Sequence, residues 1–281
     1  MENKELLPLH MLPDIQFLAA DEKLAFGEHF TNHRINFYAI VWFMEDHDVH
    51  YIDFEPFSIK RNQVFLLAKN QVHAIPAVKL PAAKVMVFSS DFFLAIEETY
   101  LKQLFLPFDN KGITISKDNL LVMEGLFSLL LTEYGDKAEL PLLLKYTSSF
   151  LFLLHRFAAH RSPQLYKRNA RIVALLQLIE KHFKEQKPVS FYATHFGLTA
   201  KRANEILKDA FGFSISGLSQ QLLILESTRA LYNGTHSIKE IAYQLGFSDQ
   251  SYFSRFFRST QDLVQKNFAL SLLITHKSLA L

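Results

Sequence analysis

Cysteine is absent from the 281 residues, which excludes disulfides, thiolate nucleophiles and cysteine-based metal sites and fits a reducing compartment. Glycine and proline are scarce, nine of each, while 49% of the chain is hydrophobic. So apolar a chain buries enough surface to offset its conformational entropy, and packed structure is expected nearly throughout. Long apolar runs are also missing. "LPLLLKYTSSFLFLL" (Leu140 to Leu154) is interrupted by Lys145 and a Thr-Ser-Ser cluster and falls short of the roughly 20 apolar residues of a membrane span. A buried amphipathic helix is expected there instead, and no membrane partner. The Met1 end, "MENKELLPLH", lacks a basic segment followed by an apolar run, so no signal peptide and a cytoplasmic location are expected.

The length fits two domains, and the charge divides the same way. Residues 1–166 carry 15 Lys and Arg against 20 Asp and Glu, whereas residues 167–281 carry 15 against 8. Basic charge concentrated in one half fits contact with a polyanion, although a basic face is also ordinary solvated surface.

From about Ala25 to Ser89 short runs rich in Val, Ile, Phe and Tyr, among them "INFYAIVWF", "QVFLLA" and "KVMVF", alternate with polar turns. This spacing predicts consecutive strands of a small barrel or sandwich. Helical spacing follows in "FFLAIEETYLKQLF", in "DNLLVMEGLFSLLLTEYG" with Asp118 or Asn119 as cap, and from Leu140 to about His160. "RSPQLYKR" (Arg161 to Arg168) is polar and basic and lies where the charge changes sign, so it reads as a linker. Domain boundaries of 1–160, 161–168 and 169–281 result. The third segment reads as all-helical, with helices near 167–184, 190–196, 200–210, 214–232, 238–245, 249–259 and 262–272.

Within that segment one arrangement occurs twice. "VSFYATHFGLTAKRANEILK" and "SIKEIAYQLGFSDQSYFSRFFR" align Ala193 with Ala242 and Gly197 with Gly246. A small residue four before a glycine suits a helix-turn-helix, because alanine lets two helices approach and glycine takes positive φ at the turn. Thr199, and Ser248 or Asp249, are placed to cap the second helix of each pair. Ala203, Leu207, Phe253 and Phe257 then face inward, and Phe247 with them. Asn204 and Ser254, Glu205 and Arg255, and Lys208 and Arg258 occupy matching outward positions. A connecting helix of about 18 residues would span ~27 Å, near the ~34 Å turn of B-DNA, so two recognition helices could enter successive major grooves.

The second copy resembles the C-terminal signature of AraC/XylS-family transcription regulators at Ile241, Ala242, Gly246, Phe247, Ser251, Tyr252, Phe253, Ser254, Arg255, Phe257 and Arg258. "FYATHFGLTAK" and "ILESTRALY" resemble the first helix-turn-helix and connecting helix of that family. "RNQVFLLAKNQVHAIP" resembles a cupin motif in which Ala68-Lys69-Asn70 replaces Pro-x-Gly and His73 keeps its place. The implied fold is α+β: an N-terminal cupin-like β-barrel with flanking helices, then an all-α domain with two helix-turn-helix motifs. Asp262, Gln265, the Phe268-Ala269 pair and Glu205 depart from the family pattern. A carboxylate at 205 repels phosphate but is able to accept from cytosine N4.

Arg255, Gln250, Lys201 and Asn204 are expected near base edges, as residues able to make specific hydrogen bonds there. Arg258, Lys208, Arg202, Ser251 and Tyr252 are expected on phosphates, which set register and salt dependence. Tyr252 reads equally as a packing residue. In the first domain, an interior lined by Tyr38, Trp42, Phe54 and Phe65, with His33, Arg34 or His73 at its mouth, would suit a small-molecule effector, or the aromatics simply fill the barrel. His47 and His50, three residues apart in an acidic hairpin, read as a solvated turn, and neither metal nor cofactor is expected.

The function expected is a sequence-specific DNA-binding transcription regulator responding to an effector, with promoter DNA and RNA polymerase as partners and the homodimer that the resemblance implies. A cupin enzyme with a vestigial helical domain and an interaction protein that no longer binds DNA are the alternatives.

Overall fold

The alternation of large apolar residues in the strands has a simple outcome: a sheet covered on both faces. In the computed structural model, which describes residues 9–10, 16–21, 32–76, 80–107, 110–161, 170–185 and 187–259, ten strands occupy the first part of the chain. They are β1 (Leu9–His10), β2 (Phe17–Asp21), β3 (His33–Ile35), β4 (Tyr38–Phe43), β5 (His47–Ile52), β6 (Glu55–Ile59), β7 (Gln63–Leu67), β8 (Val72–Ala74), β9 (Ala83–Phe88) and β10 (Ile113–Thr114). They form two five-stranded sheets, ordered β1-β3-β8-β5-β6 and β10-β7-β4-β9-β2. The architecture is therefore a two-sheet sandwich of cupin-like type, in which the sheets do not join into one closed cylinder.

Side-chain parity divides the second sheet's two faces. Ala39, Phe43, Phe65, Leu67, Val85 and Val87 pack with Ile35, Ile52 and Ile59 of the first sheet. The alternate residues Ile40, Trp42, Val64, Leu66, Met86 and Phe88 pack instead with the helices that follow. Because successive side chains of a strand point to opposite faces, no residue serves both cores.

Those helices are α1 (Ser90–Ala95), α2 (Lys117–Gly135) and α3 (Leu140–Arg161). The single helix expected over "FFLAIEETYLKQLF" is broken into α1 and a 3-10 segment, Thr99–Phe105, with Ile96 extended between them. The break lets Phe92, Ile96, Leu101, Leu104 and Phe105 all enter one core. The N-cap of α2 is Ser116, two residues before the expected cap, and the Asn119 side chain donates to its Oγ. At Ala68-Lys69-Asn70 the turn is kept without glycine, for Asn70 itself adopts φ 73°, as asparagine does more readily than most residues.

The chain separates into two compact units, with the break after Tyr166. In the second unit α4 (Ala170–His182) runs into a 3-10 turn, Phe183–Glu185, and is followed by α5 (Val189–His195), α6 (Ala200–Phe211), α7 (Ile215–Asn233), α8 (Ile238–Gln244) and α9 (Gln250–Ser259). These match six of the expected helices to within a few residues. The expected linker beyond Arg161, the seventh helix and the departures at Asp262, Gln265 and Ala269 lie outside the described residues.

Candidate nucleic-acid interface

The two helix-turn-helix units, α5–α6 and α8–α9, are built by the same local chemistry. Ala193 and Ala242 are buried where the paired helices touch. Gly197 (φ 63°) and Gly246 (φ 81°) take the left-handed conformation at the turns, which a side chain would strain. Thr199 Oγ1 accepts the Arg202 N–H at 3.2 Å, and Asp249 Oδ1 accepts the Tyr252 N–H at 2.7 Å. Asp249, not Ser248, is therefore the cap of α9. Ser237 and Glu240 form a reciprocal capping box on α8, satisfying two amides that the helix itself leaves free.

Inward residues follow the expectation: Ala203, Leu207 and Phe253 are buried, Phe247 packs edge-on against Phe253, and Phe257 is half-buried. The α7 helix ties the two units together. Its Arg229 is buried and pairs with Glu226 one turn earlier. Glu180 on α4, exposed at the surface, interacts with Arg229, and local desolvation raises its carboxyl above the usual range.

Outward, α6 exposes Lys201, Arg202 and Lys208, and α9 exposes Gln250, Ser251, Tyr252, Arg255 and Arg258. The two helices nonetheless differ. Arg202 Nη1 lies 3.2 Å from Glu205 Oε2 on its own helix, so the cation and the carboxylate partly cancel. Tyr252 packs its ring 5.5 Å from Phe247 while close to half its surface is exposed.

Asn204 departs from the base-edge expectation. It is half-buried, and its Oδ1 accepts the backbone N–H of Ile215 at 2.9 Å. Ile215 opens α7, whose first amides have no partner within the helix, so this oxygen holds the joint between α6 and α7. Its outward position was legible in the sequence, but its partner eleven residues on was not.

In the sandwich, the proposed effector residues do not share one face. Tyr38 stacks on Phe93 at 3.9 Å, and Trp42 meets Phe127 and Phe150. Both therefore belong to the core beneath the helices, away from the space between the sheets. Phe54 is buried at the tight turn after β5, with φ 71°.

His33 and His73 do lie together, their rings 4.1 Å apart across the β3–β8 pair. Arg34, the next residue along, is half-buried on the opposite face of β3. His50 joins the two histidines, with its Nε2 3.3 Å from His73 Nδ1. Its ring also meets Phe65 and Phe43 of the opposite sheet.

The reading of His50 as part of a solvated turn is thus corrected: it is fully buried inside β5. Burial, with the charge of His33 second, lowers its pKa to about 3. The signal that would have found it is its two-residue spacing from Ile52, which shares its face. Among the described residues no group of three or more His, Asp or Glu has the arrangement of a metal site, and no helix is long and apolar enough to cross a membrane.

Paired helix-turn-helix units joined by one helix, each presenting a capped and basic second helix, define a DNA-binding protein of the double helix-turn-helix class. A family model described as "Helix-turn-helix domain" matches residues 192–263. The HTH-type transcriptional activators RhaS of Salmonella schwarzengrund (strain CVM19633) and Salmonella agona (strain SL483) are each 26% identical over 237 residues, covering 82% of this chain and 84% of theirs. With the signature residues from Ile241 to Arg258, these findings make the chain similar to AraC/XylS-type transcription regulators. Among solved structures, ToxT from Vibrio cholerae (P21 form) is 16% identical with a TM-score of 0.45, over 88% of this chain and 95% of that one.

Proposed function

We propose that the chain regulates transcription by reading promoter DNA through α6 and α9, and that a small-molecule effector held by the sandwich sets its occupancy. The observation that carries this is the repeated unit itself: two buried alanines, two positive-φ glycines and two capped helices presenting cations outward. Residues 1–160 then form the sensory and dimerising part, 161–168 the linker and 169–281 the DNA reader. In this reading Arg255, Gln250 and Lys201 face base edges. Arg258, Lys208, Arg202, Ser251 and Tyr252 hold phosphates.

The effector site draws on His33, His73 and His50 beside Phe65, and Arg34, on the opposite face of β3, leaves the set with Tyr38 and Trp42. The protein acts in the cytoplasm as a homodimer, without enzymatic activity. The activator relatives favour RNA polymerase as a further partner.

The test is binding of the purified full-length protein to the promoter upstream of its own gene and to random duplex across a salt series. Promoter-selective binding whose logarithm falls linearly with log salt supports the reading. A folded protein with no DNA binding at low salt overturns it in favour of an interaction protein, the alternative that the Arg202–Glu205 pair and the engagement of Asn204 favour.

A further inference from the structure

Several lysines are answered by carboxylates: Lys60 by Asp46, Lys84 by Asp21, Lys145 by Glu97 and Lys187 by Glu185. Lys102 is held differently. It is half-buried on the 3-10 segment Thr99–Phe105, where its Nζ donates to the Leu94 carbonyl oxygen of α1 at 3.0 Å and lies 5.5 Å from the centre of the Phe93 ring. No carboxylate among the described residues forms an ion pair with it. An ammonium drawn partly out of water loses hydration that a carbonyl and a ring restore only in part. Burial accordingly pushes the Lys102 amine below the usual lysine range.

These surroundings suit an acylated side chain. An N-acyl lysine is uncharged and keeps one N–H, which is able to make the hydrogen bond to the Leu94 oxygen that the amine makes. Apolar surface for the acyl group is at hand in the half-buried Phe93 and in the Leu94 side chain, which is 68% exposed. We propose that Lys102 is a modification site that takes a short acyl group from an activated donor, an acyl phosphate or a thioester. The unprotonated Nζ attacks the carbonyl carbon of the donor and an N–C bond forms. The C–O bond to phosphate, or the C–S bond to the thiol, breaks, and the leaving group departs with the bonding pair. The nitrogen gives its surplus proton to solvent, and nothing is oxidised or reduced. The product removes a positive charge where α1 meets the 3-10 segment, and the proposal does not depend on the regulator reading.

The test incubates purified full-length protein with acetyl phosphate or, separately, with acetyl-CoA, and follows the initial rate at each lysine by peptide mass spectrometry. Near neutral pH, Lys102 is expected to react about threefold or more faster than the exposed Lys117 and Lys239, because a lowered amine holds a larger share of free base. Its rate should also level off at a lower pH than theirs, which accessibility alone would not bring about. In urea the advantage should vanish. Preference for Lys102 with one donor only identifies that donor as the source, and preference with both shows that the shared acyl chemistry suffices. The proposal is overturned by a Lys102 rate no greater than those of Lys117 and Lys239 with either donor, by a pH profile that coincides with theirs, or by an advantage that survives unfolding.

Discussion

The side-chain oxygen of Asn204 accepts the backbone N–H of Ile215 at 2.9 Å, fastening the first recognition helix to the start of the helix that carries the second. Asn204→Ala is expected to cost about 1 kcal/mol of stability, because the helix amide loses its acceptor. It should lower affinity for specific and random DNA by the same factor. A selective loss on the specific site, measured by titration of both duplexes, would return Asn204 to the base edge.

Arg255 and Arg258 share α9, and both are exposed. Arg255→Ala is expected to weaken specific binding by roughly 1 to 3 kcal/mol and leave random duplex nearly unaffected. Arg258→Ala should weaken both and reduce the salt slope by about one. Equal behaviour of the two variants across a salt series would show that neither reads a base.

Glu205 holds Arg202 at 3.2 Å on the α6 surface. Exposed pairs of this kind contribute little to stability, about 0.3 to 0.5 kcal/mol, so Glu205→Gln should leave the fold intact. It frees a cation and removes a repelling carboxylate, and random-duplex affinity should rise with a steeper salt dependence. If specific affinity falls instead, Glu205 accepts a hydrogen bond from a base, with cytosine N4 the natural donor.

His50 is neutral when folded, with its pKa lowered from 6.5 to about 3. The unfolded chain binds the extra proton between those values, so the folded state loses stability as pH falls below about 6.5 and stops losing it near 3. His50→Gln should remove that slope, about 1 kcal/mol between pH 7 and 5.5. Urea unfolding of both proteins at the two pH values measures it, and parallel pH profiles would show that His50 is not the group responsible.

Much of the reading unit was local and hence legible. The spacing from Ala193 to Gly197 and from Ala242 to Gly246, the cap at Thr199 and the inward Ala203, Leu207 and Phe253 each depend on residues within one or two turns. Helix periodicity, turn glycines and caps act over that range. The two-domain charge division was equally a property of the chain.

What the sequence did not determine was which of two apolar faces a residue joins, and which distant atom a polar group meets. Tyr38 and Trp42 have the composition of an effector pocket, but strand register turns Tyr38 toward α1 and Trp42 toward α2 and α3. His50 reads as a hairpin residue until β5 pairs with β8 and brings it to His73. The reason is physical: alternation along a strand fixes which residues travel together, while only the packing of sheet on sheet and helix on sheet decides what each face meets.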